Sequence, residues 1–171
     1  MGNRRKRIGV FGGSFNPIHH GHIGVADALL KTGFVDEILF VVSPHNPLKQ
    51  KEDLWDDALR LRLVEEALAD YPQMTACDVE FSLPQPSYMW TTLETLSGMY
   101  ADCEIVLLMG ADNWLCFDRW YKSGDILQSY EIGIYPRPGY EVDKAGLPAN
   151  VHFLNTPLID ISSTQIREKL F

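Results

Sequence analysis

Cysteine is scarce in this chain. Among 171 residues there are three, Cys77, Cys103 and Cys116. They are odd in number and widely spaced, and no pair has the Cys-x-x-Cys spacing of a zinc or redox site. That excludes a disulfide framework and reads as three reduced thiols, partly core, in a cytoplasmic protein. Long hydrophobic runs are also missing, and no stretch reaches the length of a membrane span. The start, Met-Gly-Asn-Arg-Arg-Lys-Arg, carries the charge of a secretory leader. Glycines and Asn16-Pro17 interrupt the place where a leader's apolar segment would lie, so secretion is not expected. Arg4, Arg5, Lys6 and Arg7 read instead as a solvated lead-in to a strand. Positive charge is in deficit: 15 Lys and Arg against 23 Asp and Glu give a net charge of −8. Nucleic-acid binders are usually basic, so neither DNA nor RNA is expected as a partner. An anionic ligand would need a locally positive cleft in this negative chain.

What is present is an ordinary globular composition, 46% apolar and 22% charged. There is no repeat, low-complexity tract or linker, and the length suits a single domain over residues 1–171. Apolar runs alternate with helical periodicity. The pattern predicts strands over 8–11, 37–42, 74–80, 104–109, 130–135 and 151–154. It predicts helices over 22–32, 56–70 and 88–100, the second with Leu59, Leu63, Ala67 and Leu68 on its apolar side. A further helix is expected to carry Trp114, Phe117, Trp120 and Tyr121, and another to close the chain. Continuous apolar strands such as Glu37–Val42 suit burial on both faces. The expected architecture is a Rossmann-like, doubly wound, mostly parallel α/β sheet of five to six strands with helices on both faces.

Two stretches carry chemistry. The first is Gly12-Gly13-Ser14-Phe15-Asn16-Pro17-Ile18-His19-His20-Gly21-His22. It reads as a strand end, a turn of bare backbone and a helix start. Gly12 and Gly13 let a ligand approach the main chain, and a helix start offers free N–H groups to phosphate. His19 and His22 add donors whose charge can change near neutral pH. No Cys, Asp or Glu nearby completes a ligand set around them, so no metal ligand from protein side chains is expected. The second stretch, Ile161-Ser162-Ser163-Thr164-Gln165-Ile166-Arg167, sets hydroxyls, free amides and a guanidinium at another helix start, a second anion site. Between them, Lys49 lies in a proline-rich loop at a strand end. Gly110 and Asp112 follow the 104–109 strand, Asp112 either as a helix cap or as a hydrogen-bond acceptor for a ribose or amine. Arg137 follows the strand over 130–135.

The opening stretch resembles the first signature of the adenylyl- and cytidylyltransferase superfamily, with His19-His20-Gly21-His22 as its His-x-Gly-His core. Across nearly the whole chain the pattern is similar to the bacterial nicotinate-mononucleotide adenylyltransferases. Lys49, Pro86-Ser87-Tyr88 with Thr92, Gly110-Ala111-Asp112, Trp120-Tyr121, Arg137-Pro138-Gly139 and the terminal Ser-Ser-Thr-x-Ile-Arg carry that resemblance. It implies transfer of AMP from ATP to nicotinate mononucleotide, with release of pyrophosphate, in NAD biosynthesis. It implies catalytic roles for His19, His22, Lys49 and Arg167. ATP would meet Gly12, Gly13, Ser14, Phe15, His19, His22, Gly110, Asp112, Arg137, Ser163, Thr164 and Arg167. The acceptor would meet Lys49, Tyr88, Met89, Trp120 and Tyr121, with Trp120 stacked on the pyridine ring. Mg2+ would accompany ATP as cofactor. The implied partners are ATP and a pyridine mononucleotide, neither nucleic acid nor membrane, and a homo-oligomer is left open. Asn16, Leu48, Met89 and Thr91 depart from the family's commoner residues, mostly on the acceptor side. Nicotinamide mononucleotide or phosphopantetheine as acceptor, and a nucleotide sensor without turnover, are the alternatives.

Overall fold

The computed structural model describes residues 5–44 and 55–157. Six strands, Arg7–Gly13 (β1), Glu37–Val42 (β2), Met74–Cys77 (β3), Glu104–Gly110 (β4), Glu131–Tyr135 (β5) and Val151–Phe153 (β6), alternate with helices. The helices are His20–Lys31 (α1), Asp57–Ala67 (α2), Met89–Met99 (α3), Ala111–Trp114 (α4) and Ser123–Ser129 (α5). The strands form one sheet in the order β3-β2-β1-β4-β5-β6, every neighbouring pair parallel. The expected doubly wound parallel sheet is therefore present, with six strands.

Side chains alternate across a strand, and here each face finds its own core. Val10, Leu39, Val41, Leu107 and Met109 join Leu93, Leu96 and Ile126 of α3 and α5 on one side. Phe11, Ile38, Phe40, Val106 and Leu108 join Leu29 of α1 and Val64 of α2 on the other. Two-sided burial explains why β2 and β4 are almost wholly apolar. Strand order reverses between β1 and β4, which pair although β2 and β3 lie between them in the sequence. In such sheets the ligand crevice opens at the carboxyl ends of the strands at that reversal. Gly13 and Gly110 end β1 and β4 there.

Several expectations are corrected. The third strand stops at Cys77, where its pairing with Val41 ends, and Val79–Ser82 winds into a 3-10 turn that buries Glu80. α2 is shorter than expected. Its buried line is Arg60, Val64 and Leu68, one residue on from Leu59 and Leu63, because a charged side chain occupies the core face. The aromatic residues after β4 do not share one helix. α4 ends at Trp114, a 3-10 turn spans Phe117–Arg119, and Lys122, with φ of 55°, separates Tyr121 from α5. Gly110, not Asp112, caps α4.

Candidate active site

The turn after β1 is held from below. Phe15 has φ of 45° and is buried. Its ring lies 5.8 Å from that of Phe11 and 5.5 Å from that of Phe40. Asn16 is buried, and its side-chain oxygen accepts the Trp55 N–H at 2.8 Å. The peptide between Asn16 and Pro17 is cis. These anchors leave Gly12 and Ser14 exposed at the mouth of the crevice.

The chain then enters α1 through a reciprocal cap. His19 is the capping residue. Its Nδ1 accepts the Gly21 N–H at 3.0 Å, and the His19 N–H donates to Nδ1 of His22 at 3.1 Å. The two rings stack, with centroids 3.9 Å apart, and Phe15 meets the His22 ring edge-on at 4.9 Å. A ring nitrogen that accepts an amide N–H carries no proton, so each neutral imidazole keeps its proton on Nε2. Burial, then the neighbouring His19 and Arg137 charges, push His22 down to about 3. Burial, His20 and Arg137 lower His19 as well. The expectation that these residues change charge near neutral pH is thus corrected. They are neutral donors, and the charge of the site must come from elsewhere. His20 is exposed and plays the part of a spacer.

Arg137, beyond the end of β5, is one source of that charge. It acts electrostatically on both histidines. Its Nε lies 3.8 Å from Oδ1 of Asp112, and that nitrogen is buried without a hydrogen-bond partner among the described residues. Gly110 makes the approach possible. A Cβ there would lie 2.5 Å from Asp112 Oδ1 and 2.9 Å from Arg137 Cγ. Together these residues offer two neutral N–H donors, a guanidinium and bare backbone, a set that suits an anion.

The second half of the crevice starts at α3. Tyr88 precedes its first turn without a side-chain cap, so the leading N–H groups are not capped by that side chain. Met89 reaches back to β1, where a Cβ on Gly12 would lie 3.1 Å from Met89 Cε. Tyr88 and Tyr121 are both about half exposed, and their rings lie 4.7 Å apart. Lys122 Nζ is 5.7 Å from the rings of Tyr121 and Trp90. Trp120 is half-buried and leans on Phe117 at 5.2 Å, so the exposed aromatic pair is Tyr88 with Tyr121. Lys49, Ser163, Thr164 and Arg167 lie outside the described residues.

Two supporting residues escaped sequence reasoning. Glu80 is buried, and its carboxylate accepts the hydroxyls of Ser87 at 3.0 Å and Thr92 at 2.7 Å. It thereby grips both sides of the Tyr88–Met89 corner. Arg60 is fully buried beneath the turn after β1. Arg60 falls off the Leu59–Leu63 line that marks the apolar face of the expected helix, and Glu80 stands at the end of the expected strand, so neither is marked as buried by local pattern.

Comparison with known proteins gives the family and the fold. The cytidylyltransferase-like family model matches residues 10–169. A probable nicotinate-nucleotide adenylyltransferase of Bacteroides fragilis is 49% identical over 166 residues, spanning 97% of this chain and 83% of the relative. One of Bacteroides thetaiotaomicron is 48% identical, spanning 98% of this chain and 83% of the relative. Among solved structures, the Plasmodium falciparum nicotinic acid mononucleotide adenylyltransferase complexed with NaAD superposes with a TM-score of 0.80 at 20% identity. That superposition covers 95% of this chain and 83% of the other, and it shows the same fold. The chain belongs to the cytidylyltransferase-like family and, within it, to the nicotinate-nucleotide adenylyltransferases.

Proposed function

We propose that this protein transfers the AMP moiety of ATP to nicotinate mononucleotide, giving nicotinate adenine dinucleotide and pyrophosphate. The observation that carries the reading is the stacked, neutral His19–His22 pair beside Arg137 at the crevice. The acceptor's phosphate oxygen attacks the α-phosphorus in line. A new P–O bond forms as the bond to pyrophosphate breaks, and pyrophosphate leaves with the electron pair. No enzyme nucleophile is needed, because the site has only to align two anions and stabilise the leaving group. His22 donates through Nε2 to the α-phosphate and His19 to the adjacent phosphate oxygens. Gly12, Gly13, Ser14 and Phe15 line the triphosphate with backbone, while Gly110, Asp112 and Arg137 meet the nucleotide from β4 and β5. Lys49, Ser163, Thr164 and Arg167 are assigned to the remaining charge on the resemblance alone.

The acceptor is assigned to Tyr88, Met89, Trp120 and Tyr121, with main-chain amides near Met89 and Tyr121 facing its carboxylate. Among the described residues no three His, Cys, Asp or Glu side chains converge as a metal site. Mg2+ is assigned on the resemblance to accompany ATP, whose charge it would neutralise. No described helix is long and apolar enough to cross a membrane. We assign the whole chain to one domain working in the cytoplasm.

Supplying ATP with nicotinate mononucleotide, nicotinamide mononucleotide or phosphopantetheine, and measuring pyrophosphate release, tests the reading. The expected result is fastest turnover with nicotinate mononucleotide. Faster turnover with another acceptor reassigns the substrate, and ATP binding without pyrophosphate from any of them overturns the enzyme.

A further inference from the structure

We infer that Arg60 is a positioning residue for the nucleotide turn, holding the Ser14–Phe15 peptide so that the Phe15 amide is offered to the bound anion. The inference rests on the reading that this turn receives ATP. Arg60 lies on α2 with its side chain 0% exposed. Its Nη1 donates to the Ser14 carbonyl at 2.6 Å and to the Ser43 carbonyl at 2.8 Å, and its Nε donates to the Trp55 carbonyl at 2.9 Å. Nη2 meets the carboxylate of Asp57.

Burying a guanidinium is costly unless its donors are answered, and an apolar residue on the same face packs at less cost. Val64, one turn on along α2, does so. The cation at position 60 is therefore explained by its hydrogen bonds and not by packing. Those bonds join the residue in the middle of the nucleotide turn, the residue after β2 and the residue two before α2. Trp55 is tied to the turn a second time, since its N–H donates to the side chain of Asn16 at 2.8 Å.

The consequence lies in peptide geometry. In a trans peptide the carbonyl and the following N–H point in opposite directions. Drawing the Ser14 carbonyl toward Arg60 turns the Phe15 N–H away from it, and no described acceptor receives that N–H. Phe15 also stands at φ of 45°, a region that a bulky residue occupies only when its surroundings impose it. The guanidinium clamp on one side and the Phe11–Phe40 packing on the other supply that constraint.

Two measurements on the full chain test this. Hydrogen exchange at the Phe15 amide of the unsubstituted protein should be fast without nucleotide and slow by about tenfold or more with ATP. Calorimetric titration should show ATP bound about tenfold more weakly by Arg60→Lys and roughly 30- to 100-fold more weakly by Arg60→Met. Both variants are scored with native far-UV circular dichroism, and nicotinate mononucleotide affinity should stay within about threefold. A Phe15 amide protected without nucleotide, or folded variants that bind ATP like the parent, overturns the role of Arg60 and leaves the functional reading standing. Failure of the unsubstituted protein to bind ATP overturns the functional reading, and the inference with it.

Discussion

The imidazoles of His19 and His22 stack 3.9 Å apart while His22 accepts the His19 main-chain N–H through Nδ1. With His19 accepting the Gly21 N–H in turn, both rings are locked as acceptors toward the helix and as Nε2–H donors away from it. The same two nitrogens that cap α1 thus fix the tautomer that phosphate requires. The cap of α1 and the proposed donor pair share the same two rings.

The first prediction concerns that donor. His22→Ala removes an N–H placed where charge develops on the α-phosphate. The expected loss in turnover is roughly 10²–10³, by the scale of deleted oxyanion donors. ATP affinity should change far less. Single-turnover kinetics separate the two, and a chemical step of normal rate in this variant contradicts the role.

The second follows from the ionisation of His22. Its folded value of about 3 lies below the ordinary 6.5. Below pH 6.5 the unfolded chain takes up a proton that the native state refuses, so stability from this group is full at neutral pH and lost on acidification. The slope is about 1.4 kcal/mol per pH unit from pH 6.5 down to about 3. Urea midpoints across that window should fall more steeply in the parent than in His22→Gln. Parallel curves would show that burial does not hold the ring neutral. Near pH 7 the same group should give no inflection in turnover.

Glu80 supplies the third. Glu80→Ala leaves the Thr92 hydroxyl, on a residue with 0% exposure, without its carboxylate partner. The hydroxyl keeps the Tyr88 carbonyl at 3.2 Å, so what is lost is the hydrogen bond to a charged group, about 1.5–3 kcal/mol. Thermal unfolding should show that loss, and Glu80→Gln, which keeps one acceptor oxygen, should show less. Because Ser87 and Thr92 flank the Tyr88–Met89 corner, KM for the acceptor should rise more than KM for ATP. Equal changes in both would detach Glu80 from the acceptor side.

The fourth concerns Gly110. A methyl group there meets Asp112 Oδ1 at 2.5 Å and Arg137 Cγ at 2.9 Å. Gly110→Ala must displace both, Asp112 by several tenths of an ångström or more. Misplacement of that order costs roughly tenfold to a hundredfold in kcat/KM for ATP. Unchanged steady-state kinetics would show that the Asp112–Arg137 pair does not contribute.

Much of this was legible beforehand because strand and helix patterns are local. Glu37–Val42 reads as a strand buried on both faces from its composition alone, and it is one. The glycine turn that leads into the His19–His22 cap is legible because the residues that define it are neighbours in sequence. Local pattern misleads where a residue answers a partner further along the chain or where one residue turns left-handed. Periodicity alone turns α2 one residue off its true face, because Arg60 looks like a surface residue until the carbonyl of Ser14, 46 positions away, is beside it. The strand predicted through Glu80 ends early because Glu80 answers Thr92, 12 positions on. The spacing of the aromatic residues after β4 allows one helix, but α4 ends at Trp114 and the left-handed Lys122 precedes α5.

By itself the sequence determined the alternation of strands and helices, the parallel two-sided sheet and the place of the glycine turn before α1, since each depends on periodicity and adjacent residues. Tertiary structure decided the rest. It set which imidazole nitrogen keeps its proton and which rings face the crevice. It also set which buried charges hold the turn and the Tyr88 corner. Those outcomes depend on hydrogen-bond partners and burial, and both exist only once distant segments meet.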